Sequence, residues 1–252
     1  MRKHFGLSCV DNHIDVEYAT QKKVGFIELR CNGGDWFPEM TLLPKLVKWR
    51  KETNGHLSVH MPNLKWDGEQ IKGADKWYQA IDYAVKVGAD GLTMHPMRVL
   101  KPDMPQNGSL WNLLKELYAN AVKSVGDNVK IGIENLHMTD SEQCINIDES
   151  KLHFGYTSGE VALWIDTVNK AVGNPKRVGH VFDIGHARNN GNYASIYLSS
   201  KWFELLGKKT LHFIFTRLFL RLKVLLIIRQ LKIGLVHLIL TLHFFTHGAK
   251  TP

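Results

Sequence analysis

The sequence predicts an α/β chain of the (β/α)8 TIM-barrel class, incomplete at its C-terminal end. Three observations predict it. Short, near-continuous apolar runs recur through residues 1–216, as strands buried on both faces of a parallel sheet require. Helical periodicity fills the gaps between them. Polar side chains fall at the ends of successive runs, where such a barrel gathers its chemistry. An open doubly wound sheet is the rival. However, no G-x-G-x-x-G follows the first strand and no G-x-x-x-x-G-K-[ST] occurs anywhere, so dinucleotide and P-loop readings lack their warrant.

The predicted strands are Phe5–Ser8, Gly25–Leu29, His56–His60, Gly91–His95, Val129–Glu134, Val178–Asp183 and Thr210–Phe215. Between them, Trp77, Ala80, Ile81, Ala84 and Val85 lie at i, i+3, i+4, i+7 and i+8, and Gly88 follows as a stop. Leu110, Leu114, Leu117, Tyr118, Ala121 and Val125 repeat the pattern. Thr157 and Glu160 have capping-box spacing ahead of Val161, Trp164, Ile165 and Val168. These stripes face the core, and Trp77 and Trp164 are assigned to packing.

Composition narrows the class. Of the 252 residues 44% are hydrophobic and 22% charged, which fits a globular chain and excludes a disordered or collagen-like one. The net charge of +8 is local. No Asp or Glu follows Glu204, while that stretch holds Lys208, Lys209, Arg217, Arg221, Lys223, Arg229, Lys232 and Lys250. The rest of the chain is neutral, which argues against a nucleic-acid partner. The expected division is a barrel body over 1–207 and a basic, apolar tail over 208–252. Cys9, Cys31 and Cys144 have no paired spacing and are expected to be free thiols in a reducing cytoplasm. The N-terminal apolar stretch is too short for a secretory signal, and no run demands a spanning helix.

His60 ends the third strand, His95 the fourth, Glu134 the fifth and Asp183 the sixth. In a parallel barrel these ends share one face, so the four side chains converge across wide gaps in sequence. Two imidazoles and two carboxylates in one cavity call for a cation, and their N and O donors suit Mn, Zn, Co or Mg. His186 follows Asp183 by three residues, and Gly185 is expected to turn the chain so that both face the site. Glu28, ending the second strand, is open between a substrate contact and a barrel carboxylate. His137 and His180 lie near these motifs, His180 in mid-strand. His4, His13, His56 and His153 belong to no constellation.

The segments Ser58-Val-His60-Met-Pro, Met94-His95-Pro96, Ile131-Gly-Ile-Glu134-Asn135-Leu136 and Gly179-His-Val-Phe182-Asp183-Ile-Gly-His186-Ala187 resemble the xylose isomerase-like TIM barrels. That superfamily joins sugar (phosphate) isomerases and epimerases with AP endonuclease family 2. The resemblance covers about residues 5–215. It implies a divalent metal held by Glu134, Asp183 and His212, the histidine of strand seven. It places His186 against substrate or a further metal, and His60 and His95 where the nucleases bind additional zinc.

The implied activity is a metal-dependent isomerase or epimerase of a small sugar, sugar phosphate or polyol, working through a metal-stabilised enediolate. Glu134 and His186 would be its catalytic groups. The alternatives are a zinc AP endonuclease-like phosphodiesterase and an inactive, truncated relative.

The chain departs from the pattern after residue 210. Strand seven reads Leu211-His212-Phe-Ile-Phe-Thr, with Ile214 at the next alternate position. No acid remains for strand eight. The tail is read as a frame change or truncation that leaves the barrel unclosed. Its rival is a basic amphipathic helix on a membrane surface over 216–246. The expected partner is a small carbohydrate.

Overall fold

The computed structural model describes residues 5–9, 11–30, 40–143, 148–188, 190, 199–216 and 237–241. Eight parallel strands close into a ring: β1 (Phe5–Ser8), β2 (Phe26–Arg30), β3 (His56–His60), β6 (Gly91–Met94), β7 (Lys130–Glu134), β8 (Val178–Asp183), β9 (Thr210–Thr216) and β10 (His237–Thr241). The remaining two, β4 (Lys65–Trp66) and β5 (Ile71–Lys72), make a small antiparallel hairpin beside it. The first seven ring strands fall where the apolar runs placed them, with ends moved by one residue or less.

The eighth ring strand comes from the tail. β10 pairs in parallel with β9 on one side and β1 on the other. Strands β9 and β10 both lie beyond residue 207, so part of the segment set apart by composition is built into the ring. Among the described residues no helix follows β9 or β10, and the (β/α)8 pattern is incomplete there. Most of 216–246 lies outside the described residues. No described helix is long and apolar enough to cross a membrane.

The helical layer follows the periodicity. Helix α1 spans Asn12–Lys22, α2 Leu43–Thr53, α3 Ala74–Lys86, α4 Ser109–Ser124 and α6 Ser158–Val172. Short helices α5 (Asp140–Gln143), α7 (Ile184–Arg188) and α8 (Ser199–Leu206) complete it. Thr157 and Glu160 form the reciprocal capping box on α6. Trp77, Tyr118 and Trp164 are almost wholly buried and pack edge-to-face or tilted, with ring centroids 4.8 and 5.2 Å apart, tying α3, α4 and α6 together. Val85, the last member of the α3 stripe, is instead exposed.

Inside the ring the pleat sets two levels. Glu28, Ser58, Thr93, Gly132 and Val181 belong to the middle of their strands, while His60, Glu134 and Asp183 end theirs. A Cβ on Gly132 would lie 2.3 Å from Val181 Cγ2, so only glycine lets that valine fill the barrel there.

Candidate metal centre

Register brings the predicted residues together. His60 pairs with Thr93, Met94 with Ile133, and Glu134 with Val181, so the four strand ends climb around one rim of the barrel. Glu134 stands at the centre, fully buried. Its Oε2 lies 3.2 Å from His60 Nε2, and its Oε1 lies 3.4 Å from His95 Nε2 and 3.2 Å from His186 Nδ1. His186 Nε2 is 3.5 Å from Asp183 Oδ2. The donor atoms of His60, His95 and Glu134 lie within 4.8 Å of one another, and so do those of Glu134, Asp183 and His186. Glu134 belongs to both groups.

Neighbouring groups orient the donors. His60 Nδ1 lies 3.1 Å from Met61 O, His95 Nδ1 2.8 Å from Asn63 Oδ1, and His186 Nδ1 2.9 Å from Asn135 O. Each of these oxygens is an acceptor, so each imidazole carries its proton on Nδ1 and presents the Nε2 lone pair. Tyr118 donates its hydroxyl to the carbonyl of His95 at 2.5 Å. Asp183 Oδ1 accepts the backbone N–H of His186 at 2.9 Å, so β8 runs directly into α7. The turn expected of Gly185 is thus the first turn of a helix, and Gly185 has no positive φ.

The electrostatics show a site arranged for positive charge. Burial pushes Glu134 towards the neutral acid, but His95 and His60 outweigh it and hold the carboxyl well below the usual range. Burial pulls His60 down, and Glu134 with Glu28 more than restores it. His95 falls to about 4, chiefly through burial. Among the described residues, neither oxygen of Glu134 receives a hydrogen bond of good geometry. A buried carboxylate in that state costs several kcal/mol unless a cation joins it. The residues therefore fit a divalent metal: nitrogen and carboxylate donors, fixed tautomers and an unsatisfied buried acid.

One predicted residue turns out otherwise. His212 is not in either donor group. It pairs with Val181, two residues below Asp183, across an irregularity in the β8–β9 register. It lines a cavity with Phe26, His56 and Lys130, the first residues of their strands, at the opposite rim. Its expected role beside Glu134 and Asp183 is not what the fold provides. Ile214, buried, takes the place level with Asp183.

Glu28 is a barrel carboxylate. It is fully buried and receives hydroxyl hydrogen bonds from Thr93 at 2.6 Å and Ser8 at 3.3 Å. Burial raises its pKa.

Other groups had no strong sequence signal. Asn63 and Asn135 orient the imidazoles of His95 and His186, and only their closeness in sequence to His60 and Glu134 hinted at it. His137 lies with its ring 4.8 Å from that of His186, and Arg98 donates to its carbonyl at 3.2 Å. His153 contacts Glu142, and Tyr156 donates to the same carboxylate at 2.6 Å.

Fold and site define a TIM-barrel protein with a histidine–carboxylate centre at the C-terminal rim of its strands. The family model described as xylose isomerase-like TIM barrel matches residues 16–216, and the chain belongs to that family. No curated protein matches the sequence.

Among solved structures, the fold resembles a putative xylose isomerase from Rhodospirillum rubrum with 11% identity and a TM-score of 0.67, covering 96% of this chain and 92% of that one. It also resembles a D-psicose 3-epimerase solved in the presence of D-fructose, with 13% identity and a TM-score of 0.62, covering 98% and 87%. A Thermus thermophilus protein soaked with zinc chloride matches with 18% identity and a TM-score of 0.54, covering 84% and 76%.

Proposed function

We propose that the protein is a divalent-metal isomerase or epimerase of a small sugar, sugar phosphate or polyol. The observation that carries this reading is Glu134: a buried carboxylate whose two oxygens face three imidazoles and, among the described residues, accept no hydrogen bond of good geometry. His60, His95 and Glu134 would hold one cation, and Glu134, Asp183 and His186 another or the same one. A bound divalent cation supplies Lewis-acid polarisation of paired substrate oxygens.

The chain's own groups do the rest. His186 is partly open at the rim and lies beside both carboxylates, so it can pass a proton to or from a substrate hydroxyl. Glu134 is the carboxylate nearest three imidazoles and serves as base at the adjacent carbon. The buried Asp183 orients His186 through the α7 backbone. The neutral balance of charge before the tail suits a small sugar, and the D-psicose 3-epimerase among the structural neighbours supports the same class.

A second reading rests on a separate observation. His60 and His95 make a second donor group that shares Glu134, and two adjoining metal positions would suit hydrolysis of a phosphodiester.

The test is one preparation and two assays. The full chain is loaded in turn with Mn, Co, Zn and Mg. Ketoses and aldoses are incubated in D2O and followed by NMR, and bis(p-nitrophenyl) phosphate hydrolysis is followed in parallel. Deuterium exchange at a carbon next to a carbonyl, lost in Glu134→Gln, is the expected result. Metal-dependent ester hydrolysis without exchange would replace the first reading with the second.

A further inference from the structure

At the N-terminal rim, the end away from the metal donors, a cavity of about 200 Å³ opens among Phe26, His56, Ser58, Asp90, Lys130 and His212. That is about the volume of seven liquid waters. Phe26, His56 and Lys130 begin their strands, whereas the metal donors stand at strand ends. A five-residue strand separates the two levels by about 13 Å.

Gly91 leaves the serine room. A Cβ on Gly91 would approach Ser58 Oγ to 3.2 Å, so any larger residue would crowd the serine hydroxyl.

Two features point to what it holds. Ser58 is 1% exposed, lines the cavity, and its hydroxyl has no hydrogen-bond partner among the described residues. A buried hydroxyl without a partner costs about 1–3 kcal/mol, which a ligand oxygen would relieve. Lys130 brings an ammonium that forms no ion pair among the described residues.

The acid in the lining is already engaged. Asp90 Oδ2 accepts from Arg50 Nη2 and from the Leu57 N–H, both at 2.8 Å. His56 Nδ1 also lies 3.9 Å from that carboxylate. The lining therefore offers one cation without an ion pair and one buried hydroxyl without a hydrogen bond among the described residues. That set suits a compact anion with several acceptor oxygens.

We infer that the N-terminal mouth of the barrel, lined by Ser58, Lys130, His56 and His212, is a binding site for a small oxyanion of the phosphate or carboxylate class. This site is separate from the metal centre and independent of the chemistry proposed there.

The probes are inorganic phosphate and acetate, titrated by calorimetry into the chelator-treated full chain. Saturable binding of one of them is expected, and which one binds identifies the anion class. Glu134→Gln should leave that affinity unchanged. Lys130→Met, at an exposed position, should weaken it about tenfold, and Ser58→Ala by a similar factor. Binding that is lost in Glu134→Gln but kept in Lys130→Met would place the anion at the other rim and overturn the inference. So would the absence of saturable binding of either anion in the millimolar range.

Discussion

Asn135 and Asp183 hold each other by two hydrogen bonds. The Asn135 side chain donates to Asp183 O at 3.0 Å and accepts the Asp183 N–H at 2.9 Å. This bond pair clamps the end of β7 to the end of β8 and fixes the spacing of Glu134 from Asp183. Asn135→Ala should leave two buried backbone groups unsatisfied. We expect a loss of about 2–4 kcal/mol in stability and about tenfold in metal affinity, read by denaturant melts and metal titration. Unchanged metal affinity in a folded variant would show that the clamp does not set the site.

Glu134→Gln removes the charge on which both donor groups converge. Metal measured by mass spectrometry on the purified chain should fall from stoichiometric to near zero. The fold should survive, because a neutral amide in that place needs no cation. Full metal content in the variant would remove Glu134 from the centre.

Thr93→Val tests the role of Glu28. The threonine hydroxyl gives Glu28 its shorter hydrogen bond. Its loss should destabilise the chain by about 1–3 kcal/mol and leave metal content as it was. A collapse of metal binding would instead tie Glu28 to the centre.

His180 predicts an acid limb. It is buried, its ring lies parallel to that of Trp202, and burial pulls its pKa down to about 3 against an ordinary 6.5. Above pH 6.5 both the folded and unfolded forms are neutral, and the residue contributes no slope. As pH falls below that, the unfolded chain takes up a proton that the folded chain refuses. Stability then drops by up to about 1.4 kcal/mol per pH unit, levelling off near the folded value. Melting temperatures of the metal-free chain should fall through this window, and more shallowly for His180→Phe. Identical slopes would show that His180 is not the group responsible.

Much of this protein is legible from one dimension. Strand runs such as Val178–Asp183 announce themselves because a strand covered on both faces must be apolar along its length. The four strand-end donors are legible for a related reason: a polar residue closing an apolar run in a parallel barrel has only the rim to face. The capping box at Thr157 and Glu160 is purely local, and it is seen as written.

What the sequence could not decide was which rim a residue serves. His212 and Asp183 both lie in strands, yet the β8–β9 register sets His212 two residues lower and at the opposite mouth. Because side chains alternate along a strand, a shift of one residue in pairing reverses a side chain's face, and no local pattern reports it. The eighth strand is a similar case. The run His-Leu-Ile-Leu-Thr at 237–241 fits strand or helix equally by composition, and only the vacant edges of β1 and β9 make it a strand. Periodicity and strand-end chemistry thus lie in the chain itself, while register and ring closure arise only when distant strands pair.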